Sequence, residues 1–202
     1  MSFEDACTIP HASMLAYQGL ITIGQLKKNQ NVLINGAGGG VGMFALNIAK
    51  LLNATVTGVD SADKLKQMSA MGFDNVIDYK KADFTELNDR YDLILDTKLV
   101  GAPLPILKAL NKNGQYVTVG GDLTRLLQTL LYKPFISIFT KKRFSILALK
   151  ANINLDKIED MYNNEIIKPI IDGPHSLQEV PEQLERFGKG LHQGKIIISI
   201  KH

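Results

Sequence analysis

The feature that most constrains the fold of this chain is a repeated alternation. From residue 31 onward, short β-rich apolar runs (NVLIN at 31–35, TVTGVD at 55–60, NVIDY at 75–79, YDLILD at 91–96 and QYVTVGG at 115–121) alternate with stretches of helical spacing at 41–52, 62–71 and about 101–111. Strands that are apolar almost throughout are buried on both faces, and the intervening helices are what cover them. The expected fold is therefore α/β, a Rossmann-type doubly wound parallel sheet. Helix-end chemistry agrees: Ser61 is placed to cap the second helix, Leu65, Met68 and Met71 share one face, and Gly72 supplies a left-handed exit.

Beyond residue 121 the rhythm loosens into a long apolar connection, LLQTLLYKPFISIF at 126–139, interrupted by Lys133 and Pro134. A strand is expected at RFSILALKA (143–151) and a helix near 155–164. Ser176 followed by Glu179 spells a capping box before a helix over 180–191, and GKIIISI (194–200) reads as a closing strand. The first 30 residues read as mostly helical, with Pro10 placed to open a new helix.

Composition narrows the class. The chain has 202 residues, enough for one large domain with appendages, and its 45% hydrophobic and 21% charged residues exclude a disordered or fibrous chain. A net charge of +3 is too small to argue for nucleic acid, and Lys141-Lys142-Arg143 reads as one solvated turn. Cys7, the single cysteine, excludes an internal disulfide framework and a multi-cysteine zinc site, and reads as a small packed residue. The first residues carry no signal-peptide pattern, and no apolar run reaches the roughly 18–20 residues a bilayer crossing needs. The expectation is a cytoplasmic protein with no membrane and no nucleic-acid partner.

The candidate chemistry centres on NGAGGGVG at 35–42, five glycines in eight positions between a strand and a helix. Glycine lets backbone N–H groups approach phosphate oxygens while the following helix offers its N-terminal amides and positive dipole. The six-residue dinucleotide fingerprint fits loosely on Ala37, Gly39 and Gly42, or as a spaced triad on Gly36, Gly39 and Gly42. Asp60, at the end of the second strand about 20 residues on, stands where an acid can hold an adenosine ribose. Gly36, Gly38 and Gly40 also form the G-x-G-x-G run with which many S-adenosylmethionine methyltransferases begin, but Asn35 stands where those enzymes usually carry an acid. No Gly-Lys-Ser/Thr follows, which excludes a P-loop.

Taken together, several stretches resemble the medium-chain dehydrogenase/reductases in the quinone oxidoreductase, or zeta-crystallin-like, branch. They are SFEDACTIPHASMLAYQGL, VLINGAGGGVGMFALNIAK, VTGVDSADKL with GFDNVIDYKKADF, LNKNGQYVTVGG, and the tail IIKPIIDGPHSLQEVPEQLERFGKGLHQGKIIISI. They span almost the whole chain. The resemblance implies a dinucleotide-binding domain over 1–165, with N-terminal helices at 1–28, and a C-terminal return segment over 166–202. It also implies an N-terminal catalytic domain that precedes this segment in full-length relatives, with substrate bound between the two.

The resemblance assigns Gly39, Gly40, Val41 and Gly42 to the pyrophosphate, and Gly120 and Gly121 to the backbone beside the nicotinamide. Lys64 and Tyr79 align with residues that bind the 2′-phosphate in NADPH-using relatives. Asp60, with Ser61 beside it, falls where NAD-using relatives hold the ribose, and a carboxylate there repels a phosphate. The balance leans to NADPH with NADH left open. At 96–101 the run DTKLVG departs from the family's valine-glycine-glycine.

His11 lies near a zinc-ligating position of zinc-dependent relatives, but one histidine cannot supply three protein ligands, and His175, His192 and His202 lack partners at ligand spacing. A zinc-independent oxidoreductase that passes hydride to a quinone, enone or related carbonyl is the implied activity, and no catalytic residue is named in this chain. The alternative is a non-catalytic dinucleotide-binding module, truncated or half of a split enzyme. The resemblance further implies a homodimer through the edge strand 143–151.

Overall fold

The computed structural model describes residues 1–99, 102–120 and 122–200. Six strands form one parallel sheet: β1 (Asn31–Asn35), β2 (Thr55–Asp60), β3 (Asn75–Asp78), β4 (Tyr91–Asp96), β5 (Leu110–Thr118) and β6 (Arg143–Ile146). Their order, β3-β2-β1-β4-β5-β6, is that of a doubly wound dinucleotide fold. The chain reverses its winding between β1 and β4, which opens a crevice at the carboxyl ends of those strands.

Alternate residues of the central strands feed two cores. Ile34, Val56, Leu93, Leu95 and Val117 face α1 (Phe3–Tyr17) and α2 (Gly40–Leu51). Leu33, Val59, Ile94 and Tyr116 face the other side, toward α4 (Pro103–Ala109) and α5 (Leu123–Phe139). Leu33, Ile34, Ile94 and Leu95 are fully buried, each contributing about 1.5–3 kcal/mol. α3 (Ala62–Met71) closes β2 against β3 through Met68, and its exit residue Gly72 has the expected left-handed φ of 105°. α6 (Leu155–Asn163) sets Ile158 into the core that α1 covers. The tail folds as β7 (Ile171–Ser176), a single 3-10 turn, α7 (Val180–Gly188) and β8 (Lys195–Ser199), with β7 and β8 paired in parallel.

Several local expectations are corrected. Pro10 does not open a helix but lies inside α1, which continues as a π-helical stretch at Gln18–Ile23. The carbonyl it leaves without an N–H partner belongs to Ala6, which is exposed and can be hydrated. The apolar connection at 126–139 is part of α5, capped by the Asp122 side chain, which accepts from the Arg125 N–H at 3.2 Å. Pro134 is tolerated there for the same reason, because Leu130, four residues back, is exposed. β6 ends at Ile146 instead of 151: beyond it the Gln18 side chain takes over the ladder, donating to the Lys150 carbonyl at 2.9 Å and accepting the Lys150 N–H at 3.1 Å. The Ser176–Glu179 capping box forms, while Ser61 holds the N-cap position of α3 without a side-chain bond. Cys7 is exposed, not packed, because it lies on the outer side of α1.

Candidate functional site

The loop from Asn35 to Gly39 turns the chain from β1 into α2 at the winding reversal. Its N–H groups at Gly36 and Ala37 donate to the Val59 carbonyl at 2.9 and 3.1 Å, which ties the loop to β2. The glycines divide into two kinds. At Gly42 a Cβ would lie 2.5 Å from Ala37 Cα, a backbone clash that requires glycine, and at Gly38 it would lie 2.5 Å from Lys64 Cδ, so a side chain there would displace Lys64. At Gly39 the nearest atom to a Cβ is 3.5 Å away, and at Gly40 the nearest is the Gly194 carbonyl oxygen at 3.5 Å. A Cβ at either position would therefore meet only ordinary contacts, and the amides of α2's first turn, Gly40, Val41 and Gly42, have no earlier helical carbonyl to donate to.

Asp60 is turned inward. One carboxylate oxygen accepts the Gly38 N–H at 2.8 Å and the other the Ser61 N–H at 2.9 Å, with the whole residue 6% exposed. Lys64 lies one turn further, its ammonium 3.9 Å from Asp60 and almost without solvent access. Burial pushes the Lys64 ammonium below the usual lysine range, the Asp60 carboxylate opposes that shift, and Lys98 adds to it.

At the end of β4, Asp96 organises the opposite rim. Its Oδ1 accepts from Asn35 Nδ2, the Lys98 N–H and the Leu99 N–H, each at 2.9 Å, and its Oδ2 accepts the Tyr116 hydroxyl at 2.8 Å. Burial, reinforced by the Asp96 charge, holds the Tyr116 phenol far above its ordinary range.

Between these rims lies a cavity of about 660 Å³, a size suited to a cofactor. Asn35, Gly36, Asp60 and Ser61 line one side, Tyr79, Lys80 and Phe84 another, and Lys98 with Pro105 and Ile106 a third. The last wall comes from the tail, at Phe187–Leu191. The tail is anchored there: Gly194 bridges to Gly39, and Asp172 accepts from Arg186 Nη2 at 3.0 Å and from the Gln193 N–H at 3.1 Å. His192 stacks on Phe187 with ring centroids 4.8 Å apart. Its imidazole is pushed below the usual histidine value by burial and then by Lys64 and Lys98.

The structure thus brings Asp60, Ser61 and Tyr79 into the lining of one cavity, while Gly39, Gly40, Val41 and Gly42 continue the loop into α2 and are not among the lining residues. Lys64 lies beneath the loop and outside the wall. Gly120 follows β5 with a φ of 141°, also outside the wall, and Gly121 lies outside the described residues. Sequence reasoning missed Asp96, Lys98, the tail wall and Lys195, whose Cδ lies 3.8 Å from the Cβ position at Gly40. The one signal for these was an acid ending a central strand beside the glycine loop. Among the described residues no three His, Cys, Asp or Glu side chains come together to hold a metal ion. No helix among them is long and apolar enough to cross a membrane.

A parallel six-stranded sheet with a glycine loop and a cavity at its winding reversal defines a Rossmann-type dinucleotide domain. The chain belongs to the zinc-binding dehydrogenase family, whose model matches residues 71–198, and within the medium-chain dehydrogenase/reductases it is of the quinone oxidoreductase-like kind, covering their cofactor-binding part. It is 27% identical over 202 residues to the 2-methylene-furan-3-one reductase of Solanum lycopersicum, covering 98% of this chain and 47% of that protein. It is also 27% identical over 204 residues to the chloroplast envelope quinone oxidoreductase homolog of Arabidopsis thaliana, covering 96% of this chain and 61% of that one. The quinone oxidoreductase of Coxiella burnetii shares the fold with a TM-score of 0.85 at 24% identity, over all of this chain and 62% of that one. A putative alcohol dehydrogenase of Sinorhizobium meliloti 1021 matches with a TM-score of 0.80 at 26% identity, over 99% of this chain and 59% of that one. The chain therefore spans about half to three-fifths of these relatives.

Proposed function

We propose that this chain is the NAD(P)H-binding part of a zinc-independent oxidoreductase that passes hydride to a quinone, enone or related carbonyl compound. The observation that carries this reading is the strand–glycine-loop–helix turn at the winding reversal, where the first-turn amides of α2 have no helical carbonyl to donate to and the cavity begins at Asn35, Gly36, Asp60 and Ser61. The α2 amides and Lys195 would hold the pyrophosphate, and Ser61, Tyr79 and Lys80 would face the adenosine end. Asp60 spends both oxygens on backbone amides, so it offers a ribose little, and NADPH is favoured over NADH. Bound nicotinamide supplies the hydride; this chain's contribution is to orient the cofactor and, through Phe187–Leu191, to keep water from one side of it.

The substrate side of the site would come from the part of the relatives that this chain does not span, and the domain limits 1–165 and 166–202 follow the same reading. A two-fold dimer through the free edge of β6 and a cytoplasmic location complete it. The chain has no tryptophan, so reduced-nicotinamide fluorescence can be followed without interference. Titration with NADPH and NADH should show saturable binding, tighter for NADPH; no binding of either would overturn the reading. Cofactor oxidation with a quinone or an enone then separates a complete enzyme from a binding module that holds dinucleotide without turnover.

A further inference from the structure

α5 is built the wrong way round for a helix that faces only water. Its buried side carries Thr129 and Ile136, two turns apart. On the opposite side Leu127, Leu131, Pro134, Phe135 and Ile138 recur at helical spacing and are all exposed, Leu131 by 69%, Phe135 by 60% and Ile138 by 75%. Phe139, at the last turn, is 80% exposed. This is a contiguous apolar ridge along a 17-residue helix, about 25 Å long, and it is larger than the scattered exposure a water-soluble surface normally shows.

Charge identifies what the ridge meets. From residue 123 to residue 155 there is no Asp or Glu, while Arg125, Lys133, Lys141, Lys142, Arg143 and Lys150 carry six positive charges. The net charge of the whole chain is only +3, so the remainder of the sequence is net acidic. Asp122, just before this stretch, caps the first turn of α5, and within it Lys142 turns inward to donate to the Leu107 carbonyl. Lys133 and Lys141 are exposed beside the apolar ridge and just past its end. A ridge of leucine, isoleucine and phenylalanine bordered by lysine fits the boundary of a bilayer with anionic headgroups.

We propose that α5 lies in the plane of an anionic membrane surface, with Leu131, Phe135 and Ile138 inserted among the acyl chains and Lys133 and Lys141 at the headgroups. The sequence alone leads to the expectation of no membrane partner, and no described helix is fit to cross one. A helix that rests in the interface is a different structure, held by apolar burial plus headgroup attraction. The cavity and glycine loop stand at the carboxyl ends of β1 and β4 and share no residue with the ridge.

The test is co-sedimentation of the 202-residue chain with vesicles of phosphatidylcholine alone and of phosphatidylcholine mixed with phosphatidylserine. Binding to the mixed vesicles should be more than about tenfold tighter and should weaken with salt. Phe135→Ser with Ile138→Ser should abolish it, and Lys133→Gln with Lys141→Gln should weaken it, while the urea midpoint and NADPH titration of both variants stay as in the parent. The proposal is overturned by three outcomes: no sedimentation with either vesicle, equal sedimentation with both, or a stable dimer in light scattering that Phe135→Ser dissociates.

Discussion

The Asp60 carboxylate and the Gly38 backbone amide meet at 2.8 Å, 22 residues apart in sequence, and so fasten the end of β2 to the glycine loop. Because the other Asp60 oxygen is taken by the Ser61 N–H, this acid holds the shape of the loop before any ligand arrives.

Replacing it should therefore damage the loop more than it retunes cofactor choice. Asp60→Asn removes the charge from two amide bonds and leaves the Lys64 ammonium, 3.9 Å away and buried, without its counter-ion. The expected cost is about 2–3 kcal/mol of stability, read from urea unfolding, with weaker binding of NADPH and NADH alike. A change of about tenfold or more in the ratio of the two affinities would instead place the carboxylate on the ribose.

Gly39 and Gly42 should separate binding from folding. Gly39 has an extended backbone, φ −92° and ψ 173°, which any residue adopts, and no atom within 3.4 Å of a Cβ. Gly39→Leu should keep stability within about 0.5 kcal/mol and weaken NADPH by more than about tenfold, because its side chain enters the space in front of the α2 amides. Gly42→Val drives a branched side chain into the Ala37 backbone and should cost about 3 kcal/mol or more. Equal effects of the two on stability would remove the distinction.

The strands and the loop were legible because their signals are local: a run such as Val32-Leu33-Ile34 must be buried on both faces wherever it goes. Residue 60 was legible as a position but not in its role, since spacing places an acid at the end of β2 without saying which way its oxygens point. Helix α5 was hidden by Pro134 and Lys133, which read as interruptions because exposure, the property that lets a helix carry them, is tertiary. The truncation of β6 was out of reach for a similar reason: the Gln18 side chain that replaces the ladder at Lys150 lies 132 residues away. Asp96 and Tyr116 are joined only once β4 and β5 are side by side.

His192 should make the tail's attachment sensitive to mild acid. Burial, then Lys64 and Lys98, favour its neutral form in the folded chain, against the partial pull of Asp172 and Asp60. Between its depressed value and the ordinary 6.5 the unfolded chain binds a proton that the folded chain refuses. Stability should thus fall as pH drops below about 6.5 and level off once the folded imidazole also protonates. Urea midpoints at about pH 8 and about pH 5.5 should differ less in His192→Gln than in the parent; identical differences would mean the imidazole is freely solvated.

Tyr116 gives the opposite signature at high pH. Its hydroxyl donates to Asp96 Oδ2 at 2.8 Å, and its ring lies 4.8 Å from that of Phe144. Tyr116→Phe keeps the packing but leaves that oxygen without its donor in a residue only 2% exposed, at a cost of about 1.5–3 kcal/mol. Burial, with Asp96 adding to it, raises the folded-state pKa, so the phenol's contribution is fully present below its ordinary value and is lost as pH rises beyond about 10, where the unfolded chain ionises first. The parent should accordingly lose more stability than Tyr116→Phe between about pH 9 and about pH 11. The variant should also bind NADPH less tightly, because Asp96 positions the Lys98 and Leu99 amides at the cavity rim. A Tyr116→Phe chain with the parent's stability and the parent's alkaline slope would show that the hydroxyl does not hold Asp96 in place.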